Sequence, residues 1–136
     1  MNLPSLTQST FDAAVAQSAL LVVEFSDEAD DFAARASHVA GADSAHWGHV
    51  DTRVEAGLLA TFGIGDEGAL LIVRDTVVLY LEKGRHDSLR MAELIRRIRA
   101  LDMAAIKAEI AEHRQAREAL QMRRVCPTAL RRPFEP

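Results

Sequence analysis

A mixed α/β sheet flanked by helices is the fold this sequence predicts, on three observations. Leu20-Leu21-Val22-Val23-Glu24-Phe25 is a short apolar run rich in β-branched residues, the signature of a strand buried on both faces. Ala69–Val73 and Val77–Leu81 are two more such runs, parted only by Arg74-Asp75-Thr76, which reads as a hairpin. Helical periodicity between the runs makes strands and helices alternate before that hairpin, so parallel crossovers precede an antiparallel close.

In order, Leu3–Leu6 reads as a short first strand, and Thr7, Ser9 and Thr10 offer caps for a helix presenting Phe11, Ala14 and Val15. After the strand Leu20–Phe25, Ser26 or Asp27 can cap a second helix from about Asp30 to Ala40. Its apolar positions are Phe32, Ala33, Ala36 and Val39, and Gly41 stops it. Ala45–Asp51 reads as a strand and Val54–Phe62 as a helix closed by Gly63. Beyond the hairpin and Gly84, Asp87 or Ser88 caps a helix that offers Leu89, Leu94, Ile95, Ile98 and Leu101 to the core. Asp102–Arg124 contains no glycine or proline and is rich in Ala, Glu, Arg and Gln, so it is expected to be helical. Met103, Ile106, Ile110 and Leu120 fall on heptad-like spacing, but His113 and Arg117 interrupt the stripe, which is too polar for a coiled coil standing alone. Val125–Pro136, with three prolines, reads as an extended tail.

The chain has 136 residues, 49% hydrophobic and 26% charged, enough for one domain with its own core. No apolar run approaches the roughly 20 residues of a membrane span. The first residues lack the basic start and apolar middle of a secretory signal, so a cytoplasmic location and no membrane partner are expected. The single cysteine, Cys126, excludes an internal disulfide framework. The net charge of −4 hides a division: residues 1–75 carry −9 and residues 76–136 carry +5. An acidic body with a basic C-terminal segment follows.

On these residues the chain resembles the thioredoxin family. Leu6-Thr7, Phe11-Asp12 and Val15, followed by Leu21-Val22-Val23-Glu24-Phe25, are similar to that family's opening helix and central strand. Val50-Asp51, Leu58–Ala60 and Phe62-Gly63-Ile64 resemble the approach to its cis-proline loop, and Ala69–Val73 with Gly84 its closing hairpin. The resemblance implies a thioredoxin-like domain over residues 1–101, with an added C-terminal helix and basic, proline-containing tail over 102–136. It also sets the family's two redox cysteines at Asp30 and Ala33, the preceding tryptophan at Ala29, the cis-proline at Gly68 after Glu67, and the buried acid at Glu24. A carboxylate and a methyl cannot exchange disulfides, and without proline the Gly68 bond is expected to be trans.

Other patterns carry less chemistry. Gly63-Ile64-Gly65-Asp66-Glu67-Gly68 spells a dinucleotide fingerprint, but a helix precedes it, a strand follows, and its two acids repel phosphate. His46 and His49 point to opposite faces of a strand and cannot share a metal ion. Trp47 reads as a packing residue, and the histidines, His38, His86 and His113 included, as surface residues. No metal, cofactor or nucleic acid is expected. The loops bearing Asp27, Glu28, Asp30, Asp31, Asp66 and Glu67 lie side by side in the fold the resemblance implies, and form a candidate docking surface for a basic partner.

The expected function is therefore a redox-inactive protein-binding module; what the resemblance implies by analogy is an accessory chaperone in the maturation of a metalloenzyme. The alternative is a thiol protein of cell redox homeostasis working through Cys126, whose neighbours Arg123 and Arg124 would favour a thiolate. The basic tail, with Arg131 and Arg132, is expected to dock with its helix on an acidic face, in cis or across a homodimer formed through residues 102–124.

Overall fold

The computed structural model describes residues 3–125, which fall within two units, Met1–Ala100 and Leu101–Pro136. The first contains α1 (Phe11–Gln17), β1 (Leu20–Ser26), α2 (Ala29–Ser37), a 3-10 turn (Ala42–Ser44), β2 (His46–Asp51), α3 (Ala56–Phe62), β3 (Ala69–Arg74), β4 (Val77–Lys83) and α4 (Ser88–Arg99). The second, described by itself, contains α5 (Met103–Val125), on which Ile110 and Leu120 are exposed.

The strands form one mixed sheet in the order β2-β1-β3-β4, with β1 parallel to β2 and antiparallel to β3, and β4 antiparallel to β3. In β1 every residue but Ser26 is buried, because both of its faces are covered. Leu20 and Val22 pack with Phe32, Ala36, Met91 and Ile95 under α2 and α4; Leu21, Val23 and Phe25 pack with Phe11 and Leu58 under α1 and α3. The apolar alternation of one strand thus builds two cores. The hairpin turn places Asp75 at φ 51° and Thr76 at φ 67°, the left-handed pair that a two-residue connection between twisted strands needs. Trp47 is buried as expected, its Nε1 donating to the Ala42 carbonyl at 2.9 Å.

Several expectations are corrected. Residues 3–6 make no strand: they hold a single bridge, Ser5 to His49, with Leu6 N donating to His49 O and His49 N to Pro4 O. Pro4 has no N–H to extend a ladder. The second helix ends at Ser37, three residues early, where His38 N turns back onto Arg35 O. The third begins at Ala56, because Val54 and Glu55 donate to Asp51 O in a turn that leaves Val54 exposed. Thr10 precedes α1 without a side-chain cap bond, its hydroxyl accepting instead from Thr7 N. Nor do Ser26 or Asp27 cap α2, whose N-cap is Glu28. Leu89 is 84% exposed, since the buried stripe of α4 is Met91, Leu94, Ile95 and Ile98, and Leu89 lies two residues off it. Asp87 does cap α4, accepting from Arg90 N at 2.8 Å.

All peptide bonds of the described residues are trans, Glu67–Gly68 among them. Gly68 nevertheless has a demanding backbone: its φ is +71°, and a Cβ there would run into the Phe25 carbonyl oxygen. Gly63 shares the left-handed φ, at +66°, but has open space. Gly63→Ala is therefore expected to cost only the left-handed penalty of about 1–2 kcal/mol. Gly68→Ala should cost clearly more, since backbone cannot step aside as a side chain can. Urea denaturation of both variants measures the difference; equal losses would mean that Gly68 is not sterically required.

Candidate functional site

The site begins with an acid in a place that punishes acids. Glu24 sits in the middle of β1 and is 2% exposed, so its charge must be matched on the spot. Arg35, one of the buried residues of α2, does this: its Nη2 lies 2.8 Å from both Glu24 oxygens. The same guanidinium donates through Nη1 to the His86 carbonyl at 2.6 Å and through Nε to Asp31 Oδ2 at 2.9 Å. Its carbon stands 5.5 Å from the Phe32 ring centroid. Asp31 in turn pairs with Arg85 at 3.2 Å, and these hydrogen bonds, from Arg85 first and Arg35 second, hold its carboxyl below the ordinary range. One arginine thereby ties β1, α2 and the loop before α4 together.

A second arm leaves the other side of Glu24. Ser26 Oγ donates to Glu24 Oε2 at 2.9 Å and lies 2.9 Å from His49 Nε2 on β2. With its own proton committed to the carboxylate, Ser26 can only accept from His49, which assigns the hydrogen to Nε2. Glu28 N also donates to Ser26 Oγ, at 3.3 Å. His49 is 3% exposed, and burial pushes its pKa below the usual imidazole value, although the Glu24 and Asp51 charges pull the other way. Expected as a surface residue, His49 is thus part of the core, and so is His86, 6% exposed, because each is the link between two elements. His38 and His113 are exposed; His46, also exposed, bonds Ser18 Oγ at 3.0 Å through Nδ1.

Above this network the loops converge. Asp27 and Glu28, before α2, and Asp66 and Glu67, before β3, line one small cleft of about 130 Å³ with Ser26, Gly68 and Arg85 at its walls. Glu24 and Arg35 form its base. Asp30 and Asp31 lie outside it, in a shallow hollow shared with Asp27, Glu28 and Arg53. The six candidate carboxylates are therefore unequal: Asp31 is committed to two arginines and Glu67 to Lys83 at 3.4 Å, while Asp27, Glu28, Asp30 and Asp66 face solvent. Asp30 and Ala33 lie in the first turns of α2, and neither carries a sulfur. Cys126 lies outside the described residues, as do Arg131 and Arg132.

No protein-family model and no curated protein matches the chain. Solved structures do. Thioredoxin from Plasmodium falciparum superposes with a TM-score of 0.57 at 16% identity, covering 70% of this chain and 98% of its own. A point mutant of the thioredoxin from Halobacterium salinarum NRC-1 gives 0.61 at 14% identity, with 74% and 94% covered. Chloroplastic thioredoxin z gives 0.61 at 15%, with 74% and 97% covered. The chain has the thioredoxin fold. On that fold Arg35 is the residue the sequence reading passed over. Its signal was present: an arginine inside the stripe Phe32-Ala36-Val39, one turn from solvent-facing acids and within reach of a strand that carries Glu24.

Two outcomes follow for this thioredoxin-fold site. Arg35→Met leaves the buried Glu24 with the Ser26 hydroxyl and no counter-ion, and is expected to cost about 3–5 kcal/mol in urea denaturation, most of it recovered in Glu24→Gln with Arg35→Met. A double variant as unstable as the single would show that the arginine matters for packing alone. The pH dependence comes from His49. Because its folded pKa is depressed, the unfolded chain takes up the proton first; stability is full above the ordinary imidazole pKa of about 6.5 and falls as the pH drops from there through the folded value. His49→Gln should flatten that fall in denaturation curves between pH 7 and 5.

Proposed function

We propose that this thioredoxin-fold protein is a protein-binding module that docks a basic segment of a partner on its acidic loops and carries out no dithiol exchange there. One observation carries the reading: the positions that the resemblance gives to the dithiol hold Asp30 and Ala33, and the buried Glu24 is paired through both its oxygens with Arg35 Nη2. A carboxylate tied on both oxygens to a guanidinium that is itself bonded to Asp31 and to the His86 carbonyl is held in one geometry, so the centre is built as a rigid support for the loops above it. Over it, Asp27, Glu28 and Asp66 present charge to solvent at the mouth of a cleft. Such a surface mainly raises the rate of encounter with a basic partner and selects against acidic ones. An accessory role in metalloenzyme maturation fits this reading, since it asks for docking and no turnover.

Two measurements test it. Insulin reduction by dithiothreitol should not be accelerated by the wild-type protein, and Cys126→Ser should behave identically; acceleration that disappears in that variant would move the function to the thiol of Cys126. A fluorescent Arg- and Lys-rich peptide should bind with an affinity that weakens with salt, and Asp27→Lys with Glu28→Lys should lower it about tenfold or more, which is about 1.4 kcal/mol. Unchanged binding in the charge-reversed variant would remove the acidic loops from the function.

A further inference from the structure

The acidic cleft lies at the N-terminal end of α2; past the C-terminal end of the same helix a second concavity opens. It holds about 500 Å³ between α4 and the turn that follows Ala40. One wall is a ridge of α4, Ala92, Ile95, Arg96 and Arg99, whose spacing of three and four residues sets them along one face. The facing wall is Gly41 and the 3-10 turn that ends at Ser44. Ile95 is 3% exposed and so belongs to the floor, while Ala92 and Gly41 leave the trough unfilled. Gly41 has φ +78°, and the one atom near a Cβ there is Ser44 Oγ at 3.6 Å.

The charge at this trough is opposite to that of the cleft. Arg96 and Arg99 stand exposed at its rim, and Arg99 Nη2 also donates to the Ser44 carbonyl across it. The acid among the lining residues, Glu93, already has partners, Arg97 at 2.6 Å and Arg90 at 3.6 Å. Arg96, and the donors of Arg99 that the Ser44 carbonyl does not take, are thus presented to whatever enters.

The geometry points to this trough as a docking groove for an acidic amphipathic helix of a partner protein. A trough walled by a helix ridge and a helical turn accepts the side-chain ridge of another helix, and small residues at its floor let that helix approach closely. Apolar side chains at one helical spacing would cover Ala92 and Ile95. Carboxylates three or four residues apart on the flank would meet Arg96 and Arg99, whose planar forks take carboxylates in pairs of hydrogen bonds. A basic helix would set like charge against like at both arginines, so selection is by sign. This inference concerns a different end of α2 and the opposite charge from the function proposed above, and it stands or falls separately.

The test uses the full chain labelled with nitrogen-15 and two synthetic helical peptides of about 20 residues, alike in their leucines and alanines, one with glutamates and one with lysines on the flank. The glutamate peptide is expected to shift the amides of Gly41, Ser44, Ala92 and Ile95 saturably, and the lysine peptide not to. Arg96→Glu should weaken the glutamate peptide by tenfold or more and admit the lysine peptide. Ala92→Trp, which fills the trough and leaves both arginines in place, should abolish binding while the remaining amide spectrum stays dispersed. No saturable binding up to millimolar peptide, shifts centred on Asp27–Asp31 or Gly68, or equal binding of both peptides to the wild-type protein would each overturn the proposal.

Discussion

A carboxylate with almost no exposure, in the central region of a sheet covered on both faces, can persist as an anion only if a cation reaches it without water. Arg35 is that cation, and meeting Glu24 with two bonds of 2.8 Å dictates much else about this end of the molecule. To deliver a guanidinium there, α2 must cross β1 with the Arg35 face downward, which puts Phe32 and Ala36 into the core and turns Asp30 outward. The donors that Glu24 does not use are taken by the His86 carbonyl and by Asp31, so the loop before α4 is held as well. Ser88 Oγ completes that tie by donating to the Arg35 carbonyl at 2.7 Å. Burying an ion pair is not in itself a large source of stability, because desolvation opposes the Coulomb gain; its value here is geometric.

The two ends of α2 carry opposite characters. At its N-terminus exposed acids gather where two loops meet over the ion pair, and the meeting is possible because Gly68 lets the second loop lie against the Phe25 carbonyl without a Cβ between them. Past its C-terminus, α4 presents arginines beside a trough floored by alanine, glycine and isoleucine. The charge division seen along the chain is therefore also a division in space within the first unit, before the basic C-terminal segment is considered. A single helix separates a surface suited to cations from one suited to carboxylates.

The fold was legible because its determinants are local. The apolar runs of β1, β3 and β4 and the stripe of α4 announce their own structure, and Gly63, Asp87 and the Asp75-Thr76 turn mark ends that need no knowledge of distant residues. Element ends and short elements are decided by a few backbone bonds: α2 stops at Ser37, α3 is delayed by the turn on Asp51, and Pro4 leaves a single bridge where a first strand is expected. Leu89 is apolar and belongs to α4, and the phase set by Met91, Leu94, Ile95 and Ile98 is what excludes it from the core.

By itself the sequence determined that a mixed sheet forms, that no thiol stands at the N-terminus of α2, and that acids crowd the loops around it, since each of these is a matter of residue identity at a position. Only the tertiary structure decided which of those acids are free. Asp31 and Glu67 are spent on Arg85 and Lys83, residues 54 and 16 positions further along the chain, while Asp27, Glu28, Asp30 and Asp66 keep their charge for solvent. It also decided that His49 and His86 are internal and that Arg35 is the counter-ion of Glu24. Ion pairs and hydrogen bonds act over about 3 Å, and the separations that bring such groups within that range are set by how strands and helices pack, which no local pattern of residues records.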